Sequence, residues 1–135
     1  LFIVDTYPFS DNEDLSIDER NFLKGFKKVF INPEILWSSS KFCSFNEGCL
    51  SIPEIREDVN RQDEIEIRYK DEKFVSRVLK LEGLCARVVQ HEFDHIEGIL
   101  FTDKLSSFKK KLLKSKLKNI SLGKIECDYP MSFNK

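Results

Sequence analysis

Two histidines, His91 and His95, are all the imidazole the chain has. They stand four residues apart in Gln90-His91-Glu92-Phe93-Asp94-His95-Ile96-Glu97-Gly98. On a helix that spacing puts both rings on one face, one turn apart, where they can ligate a single metal ion. Glu92 follows the first histidine and aims its carboxylate near that ion without lying on the histidine axis, as a general base acting on an activated water must. The same spacing also suits a plainer reading, two hydrogen-bonded polar residues on an ordinary helix.

Two imidazoles do not hold a metal by themselves. The candidate third ligand is Cys49, within Phe45-Asn46-Glu47-Gly48-Cys49-Leu50-Ser51-Ile52-Pro53. A thiolate with two imidazoles leaves a tetrahedral ion one open position, which a hydrolytic site requires. Taken alone, Cys49 reads better as a buried, inert thiol. Cys85 lies among apolar residues and reads as a small buried hydrophobe, Cys43 precedes the glycine turn, and Cys127 falls in a polar stretch. Four cysteines without regular spacing fit a reducing cytoplasm better than a disulfide framework.

Together these two stretches resemble the peptide deformylases. The family's Glu-Gly-Cys-Leu-Ser motif is matched by Glu47 to Ser51, and its Gln-His-Glu-x-Asp-His motif, closed by glycine, by Gln90 to Gly98. The likeness runs on through Ile52-Pro53, Arg56 and Ile99-Leu100-Phe101, and covers the chain from Leu1 to around Leu117. It implies an α+β fold, with small antiparallel β-sheets packed around a central metal-binding helix and a second, C-terminal helix. It also implies a metallohydrolase that removes the formyl group from the formyl-methionine of nascent peptides and releases formate. Cys49, His91 and His95 would hold one divalent ion, and Glu92 would be the general acid and base. The backbone N–H of Leu50 would meet the oxyanion.

The resemblance points to Fe(II) as the ion, with Zn(II) or Ni(II) able to replace it, whereas the Irving–Williams order alone favours zinc over iron. For the substrate, Gly48 and its neighbours offer backbone to an extended peptide, and Arg56 matches a family arginine at the pocket mouth. Leu84 and Val88 sit one and two turns back from His91 and are placed to line a methionine pocket; plain core packing explains them as well. Glu47 is a candidate acceptor that orients a ligand. The family's N-terminal motif, Gly-x-Gly-x-Ala-Ala-x-Gln, has no match here. The expectation is a catalytic domain over residues 1–119 lacking its N-terminal portion, with residues 120–135 as a tail. Two other readings stay open: a zincin-type metallopeptidase, although no histidine follows His95, and a non-catalytic metal module closed by Cys43 or Cys85.

These residues need a scaffold. At 135 residues the chain is one domain's length, and its net charge of -1 argues for no general affinity toward nucleic acid or acidic membranes. No long apolar run or signal peptide is present, so the expected compartment is the cytoplasm, with no membrane partner. The metal helix is expected from Gly83 to Gly98, on the period of Leu84, Val88, His91 and His95. Before it, alternating Ile65, Ile67 and Tyr69 predict a half-buried strand that turns at Asp71-Glu72-Lys73 into a second arm from Phe74 to Leu81. Leu1 to Val4 and Lys27 to Asn32 read as strands, the second ended by Pro33. Ser16 and Glu19 read as a capping box opening a helix at Ile17 within an acidic, solvated excursion. The serines 38–40 mark a loop, and Gly48 is expected to supply unusual backbone angles before the thiolate. A last helix is expected from Asp103 to Asn119 with Thr102 as cap, burying Leu105, Phe108, Leu112 and Leu117 beneath a lysine face. Such a face could lie against ribosomal RNA near the nascent-chain exit, through phosphate contacts without sequence specificity, or stay solvated.

Overall fold

The computed structural model describes residues 1–133. The strands are β1 (Phe2–Asp5), β2 (Lys27–Ser38), β3 (Phe42–Cys49), β4 (Ile52–Gln62), β5 (Glu64–Lys70) and β6 (Ser76–Glu82). The α-helices are α1 (Ile17–Gly25), α2 (Gly83–Ile96) and α3 (Ser107–Ser121), with short 3-10 turns at Tyr7–Phe9 and Phe101–Lys104. Small antiparallel sheets with three helices make this the α+β class. The chain divides into two compact units, Leu1–Cys43 with Arg61–Ile99, and Ser44–Asn60 with Leu100–Lys135.

In the first unit a four-stranded sheet runs in the order β1-β2-β5-β6. Glu64 to Lys70 alternate as their residues require, leaving Ile65, Ile67 and Tyr69 on the buried face. The turn into β6 is tied by Asp71, whose Oδ1 accepts from Lys73 N and Val75 N while Oδ2 meets Arg77. Phe74 is left at φ 58° and exposed, so the second arm begins at Ser76 rather than Phe74. Phe2, Phe30 and Tyr69 form an aromatic run, with ring centroids 4.9 and 4.5 Å apart. Leu23 and Phe26 join them, and α2 adds Leu84, Cys85, Ala86 and Val89 to complete the core. Each Val, Leu, Ile or Phe side chain so removed from water contributes roughly 1.5–3 kcal/mol.

Two local expectations fail here for physical reasons. Pro33 does not end its strand: the β2–β5 register shifts between Ile31 and Glu34, with Asn32 at φ 46°, and β2 continues to Ser38. A bulge absorbs the proline that a regular ladder would reject. Ser16 does cap α1, its Oγ accepting from Glu19 N at 3.2 Å, but the Glu19 carboxylate does not return to it. Glu19 Oε1 instead accepts from Leu84 N at 3.1 Å, at the start of α2. An acid there satisfies an orphan donor and complements the helix dipole.

Sequence reading missed β3, which it took for a serine loop and a turn. It also missed β4, most of which lies in the second unit and whose apolar positions are interrupted by Glu, Arg, Asp and Asn. Ile52, Ile55 and Val59 of β4 are buried with Phe101, Leu105 and Ile120. Lys109 reaches Glu57 Oε2 at 2.5 Å, and Lys116 donates to Glu54 O at 2.8 Å. The cap of α3 is Ser106, not Thr102, which is buried in the 3-10 turn before it. With the helix phased from Ser106, the inward stripe is Leu113, Leu117 and Ile120, while Phe108 and Leu112 are exposed. Part of the expected tail is engaged: Ile125 packs on this core, and Tyr129 Oη donates to Leu50 O at 2.8 Å. Residues 134 and 135 of that tail lie outside the described residues. No helix among the described residues is long and apolar enough to cross a membrane.

Candidate metal centre

The histidine pair is a product of α2. The helix can begin at Gly83 because φ there is +58°, and it stops at Gly98, φ +73°, after Glu97 N, Gly98 N and Ile99 N close the last carbonyls. Its fourteen residues carry His91 and His95 one turn apart, ring centroids 4.8 Å apart and nearly perpendicular. Both are half-buried, as is Glu92 between them.

Cys49 is the last residue of β3, just before the Leu50–Ser51 turn into β4, and it is half-buried. Gly48 serves this segment otherwise than expected. It is not among the positive-φ residues. A Cβ there would instead lie 3.0 Å from Arg56 Nη1 and 3.3 Å from its Cγ. Gly48 lets Arg56 lie across β3, where its Nε donates to Asn46 Oδ1 and its Nη2 to Asn46 O, both at 2.8 Å. Asn46 is held in turn by Asp58 at 3.0 Å. Glu47 is buried.

Among the described residues, Cys49, His91 and His95 form a group that could hold a metal ion; each offers one ligand atom, and these atoms lie within 4.8 Å of one another. Borderline nitrogen donors with one soft sulfur suit zinc, ferrous iron or nickel far better than magnesium or calcium. The chemistry of the donor set therefore fits the ion. The remaining cysteines fall outside the group. Burial pushes the Cys85 thiol up to about 12, with Glu19 adding to the shift. Cys43 lies beside Arg87, whose Nη2 is 3.2 Å from its sulfur.

The other expected site residues separate. Leu50 is 76% exposed, and its carbonyl accepts from Tyr129 Oη. Leu84 is buried in the first unit's core, and Val88, half-buried, packs against that core. Sequence reasoning gave no role to Arg61, Asp94 or Arg87, although Asp94 and Arg87 are buried charged residues of α2 itself. The only signal was a charge at a position facing inward.

A profile of the polypeptide deformylase family matches residues 1–111. The peptide deformylase of Flavobacterium johnsoniae is 56% identical over 133 residues, covering 98% of this chain and 68% of the relative. That of Salinibacter ruber is 45% identical over 131 residues, covering 97% and 66%. Among solved structures, peptide deformylase 1B of Arabidopsis thaliana, in complex with an inhibitor, superposes with a TM-score of 0.70 at 34% identity, over 74% of this chain and 55% of that one. A Plasmodium falciparum peptide deformylase, also in complex with an inhibitor, gives 0.65 at 39% identity, over 69% and 60%. The chain thus spans about two thirds of the length of these curated relatives, and less of the solved chains.

Proposed function

The chain belongs to the polypeptide deformylase family, and from that premise we propose that it hydrolyses the N-formyl group of formyl-methionyl peptides, releasing formate and a free amine. The observation that carries the proposal is the Cys49, His91 and His95 donor group with Glu92 beside it. Those three residues would hold one divalent ion, Fe(II) in the first instance and Zn(II) or Ni(II) as substitutes. When bound, the ion supplies Lewis acidity and lowers the pKa of a water from ~15.7 to about 7.

The chain's own residues do the rest. Glu92 takes a proton from the water as its oxygen bonds to the formyl carbon, and returns that proton to nitrogen as the C–N bond breaks. One carboxylate serves both steps because the first proton gained is the one the leaving nitrogen lacks. The Leu50 N–H donates to the formyl oxygen as charge grows there; a donor of this kind is worth about 10²–10³ in rate. Arg56, anchored on Asn46, keeps the strand before Cys49 in place, so that Gly48 and its neighbours present backbone to an extended peptide. Glu47 orients the neighbouring ligand. The lysines of α3 give the protein a surface for ribosomal RNA near the nascent chain, tested by co-sedimentation with ribosomes at low and high salt. The cytoplasm is the compartment this substrate implies.

The experiment is formate release from formyl-Met-Ala-Ser by anaerobically prepared protein of known metal content. Glu92→Gln is expected to keep the metal and lose about 10²–10⁴ in kcat. A variant that keeps wild-type turnover, or wild-type protein that carries metal and releases no formate, would overturn the reading.

A further inference from the structure

Arg87, Gln90 and Asp94 of α2 are each more than nine-tenths buried, and all three are polar. Their i, i+3, i+7 spacing places them within an arc of about 60° on the helix surface. Each has a partner on strand residues of the same unit. Arg87 Nη2 donates to Cys43 O at 2.6 Å. Gln90 Nε2 donates to Gln62 O at 2.9 Å and also to Ala86 O at 3.1 Å. Arg61 Nη1 donates to Asp94 Oδ2 at 2.6 Å, an ion pair with side chains 2% and 11% exposed. Arg61 and Gln62 are adjacent at the end of β4, so the last two contacts grip α2 from one strand terminus, one helical turn apart.

We infer that this polar stripe is a rotational key for α2, and that Arg61 and Asp94 are positioning residues for the histidine ligands. The inference rests on the metal reading given above. His91 and His95 follow the stripe around the same helix by about 90°. An apolar stripe tolerates a small roll of the helix, because dispersion is not directional; hydrogen bonds to fixed carbonyls and a carboxylate are. A roll of 10° at a side-chain radius of about 5–6 Å moves a ring nitrogen by about 1 Å. A metal bond holds its length to about 0.2 Å, so even that roll would misplace a ligand. Gln90 and Asp94 fix the turns from which His91 and His95 project.

The test is zinc affinity, by competition with a chromophoric chelator, together with the visible spectrum of the cobalt-loaded protein. Asp94→Asn and Arg61→Gln each break this buried ion pair by removing one of its two charges. Each is expected to weaken zinc binding about 10–100-fold, the usual effect of losing a residue that orients a ligand, and to shift the cobalt bands. The double variant puts a neutral hydrogen-bonding pair in place of the ion pair, and should recover most of the affinity and the wild-type bands. Thr6→Ala, which loses a buried hydrogen bond to Leu23 O far from this stripe in sequence, should lower Tm without changing either readout. If Asp94→Asn does not fold, Arg61→Lys, which keeps the charge, is expected to show the same loss. Wild-type zinc binding with unchanged affinity and bands in the single variants overturns the inference alone. Wild-type protein that binds no zinc overturns the metal reading and this inference with it.

Discussion

The four cysteines show how one side chain takes different chemistry from its surroundings. Cys85 sits in the core beside Leu84 and Ala86, and burial raises its pKa from 9.0 to about 12. The thiol therefore stays protonated at neutral pH and behaves as a small hydrophobe. The sign of the linkage follows from the raised value. The unfolded chain ionises near 9 and the folded chain does not, so stability is complete below pH 9 and falls as pH rises toward 12. Three units correspond to on the order of 4 kcal/mol at the end of that window. Thermal unfolding followed from pH 8 to 10.5 should show a fall in Tm that Cys85→Ala, less stable at pH 8, reduces. Equal slopes would mean that other groups set the alkaline limit. Cys85 should also resist alkylation at pH 8 until denaturant is added.

At the scale of elements, helix ends decide more than helix interiors. Gly83 opens α2 at a positive φ, and a Cβ there would come 2.5 Å from Glu19 Oε1, the atom that caps Leu84 N. Gly83→Ala is expected to cost on the order of 1–3 kcal/mol from the backbone alone, with the cap displaced as well. Glu19→Gln keeps an acceptor and loses the charge, and should cost roughly 0.3–1 kcal/mol. Urea titrations of both variants rank the two effects; a Gly83→Ala cost no larger than that of Glu19→Gln would contradict the strain. The faces of α3 make a second case. Leu117→Ala removes a half-buried contact with the second unit's core and should cost on the order of 1–3 kcal/mol, whereas Leu112→Ser, 65% exposed, should stay within about 0.5 kcal/mol. The reverse order would show that the helix is phased as its raw periodicity suggested.

For the whole molecule, the proposed ion couples folding to activity. Stripping metal with a chelator should abolish formate release and lower Tm together, and readdition of zinc at about 100 times its Kd should restore about 2.7 kcal/mol. Loss of activity without a shift in Tm would mean that the ion binds folded and unfolded chain alike. By itself the sequence determined what is local: the His-Glu-x-x-His helix from Gly83 onward, the alternating β5 strand, the turn at Asp71, and the candidate cysteine before Leu50. Periods of 3.6 and 2 are written in neighbouring residues, and so is the ligand spacing on one helix. Only tertiary structure decided that Pro33 rides in a bulge, that Glu19 caps a helix sixty-odd residues away, that Gly48 makes room for Arg56, and that Asp94 meets Arg61. Each of these depends on a partner distant in the chain, and the energy of a charge or a glycine is set by what the fold brings beside it.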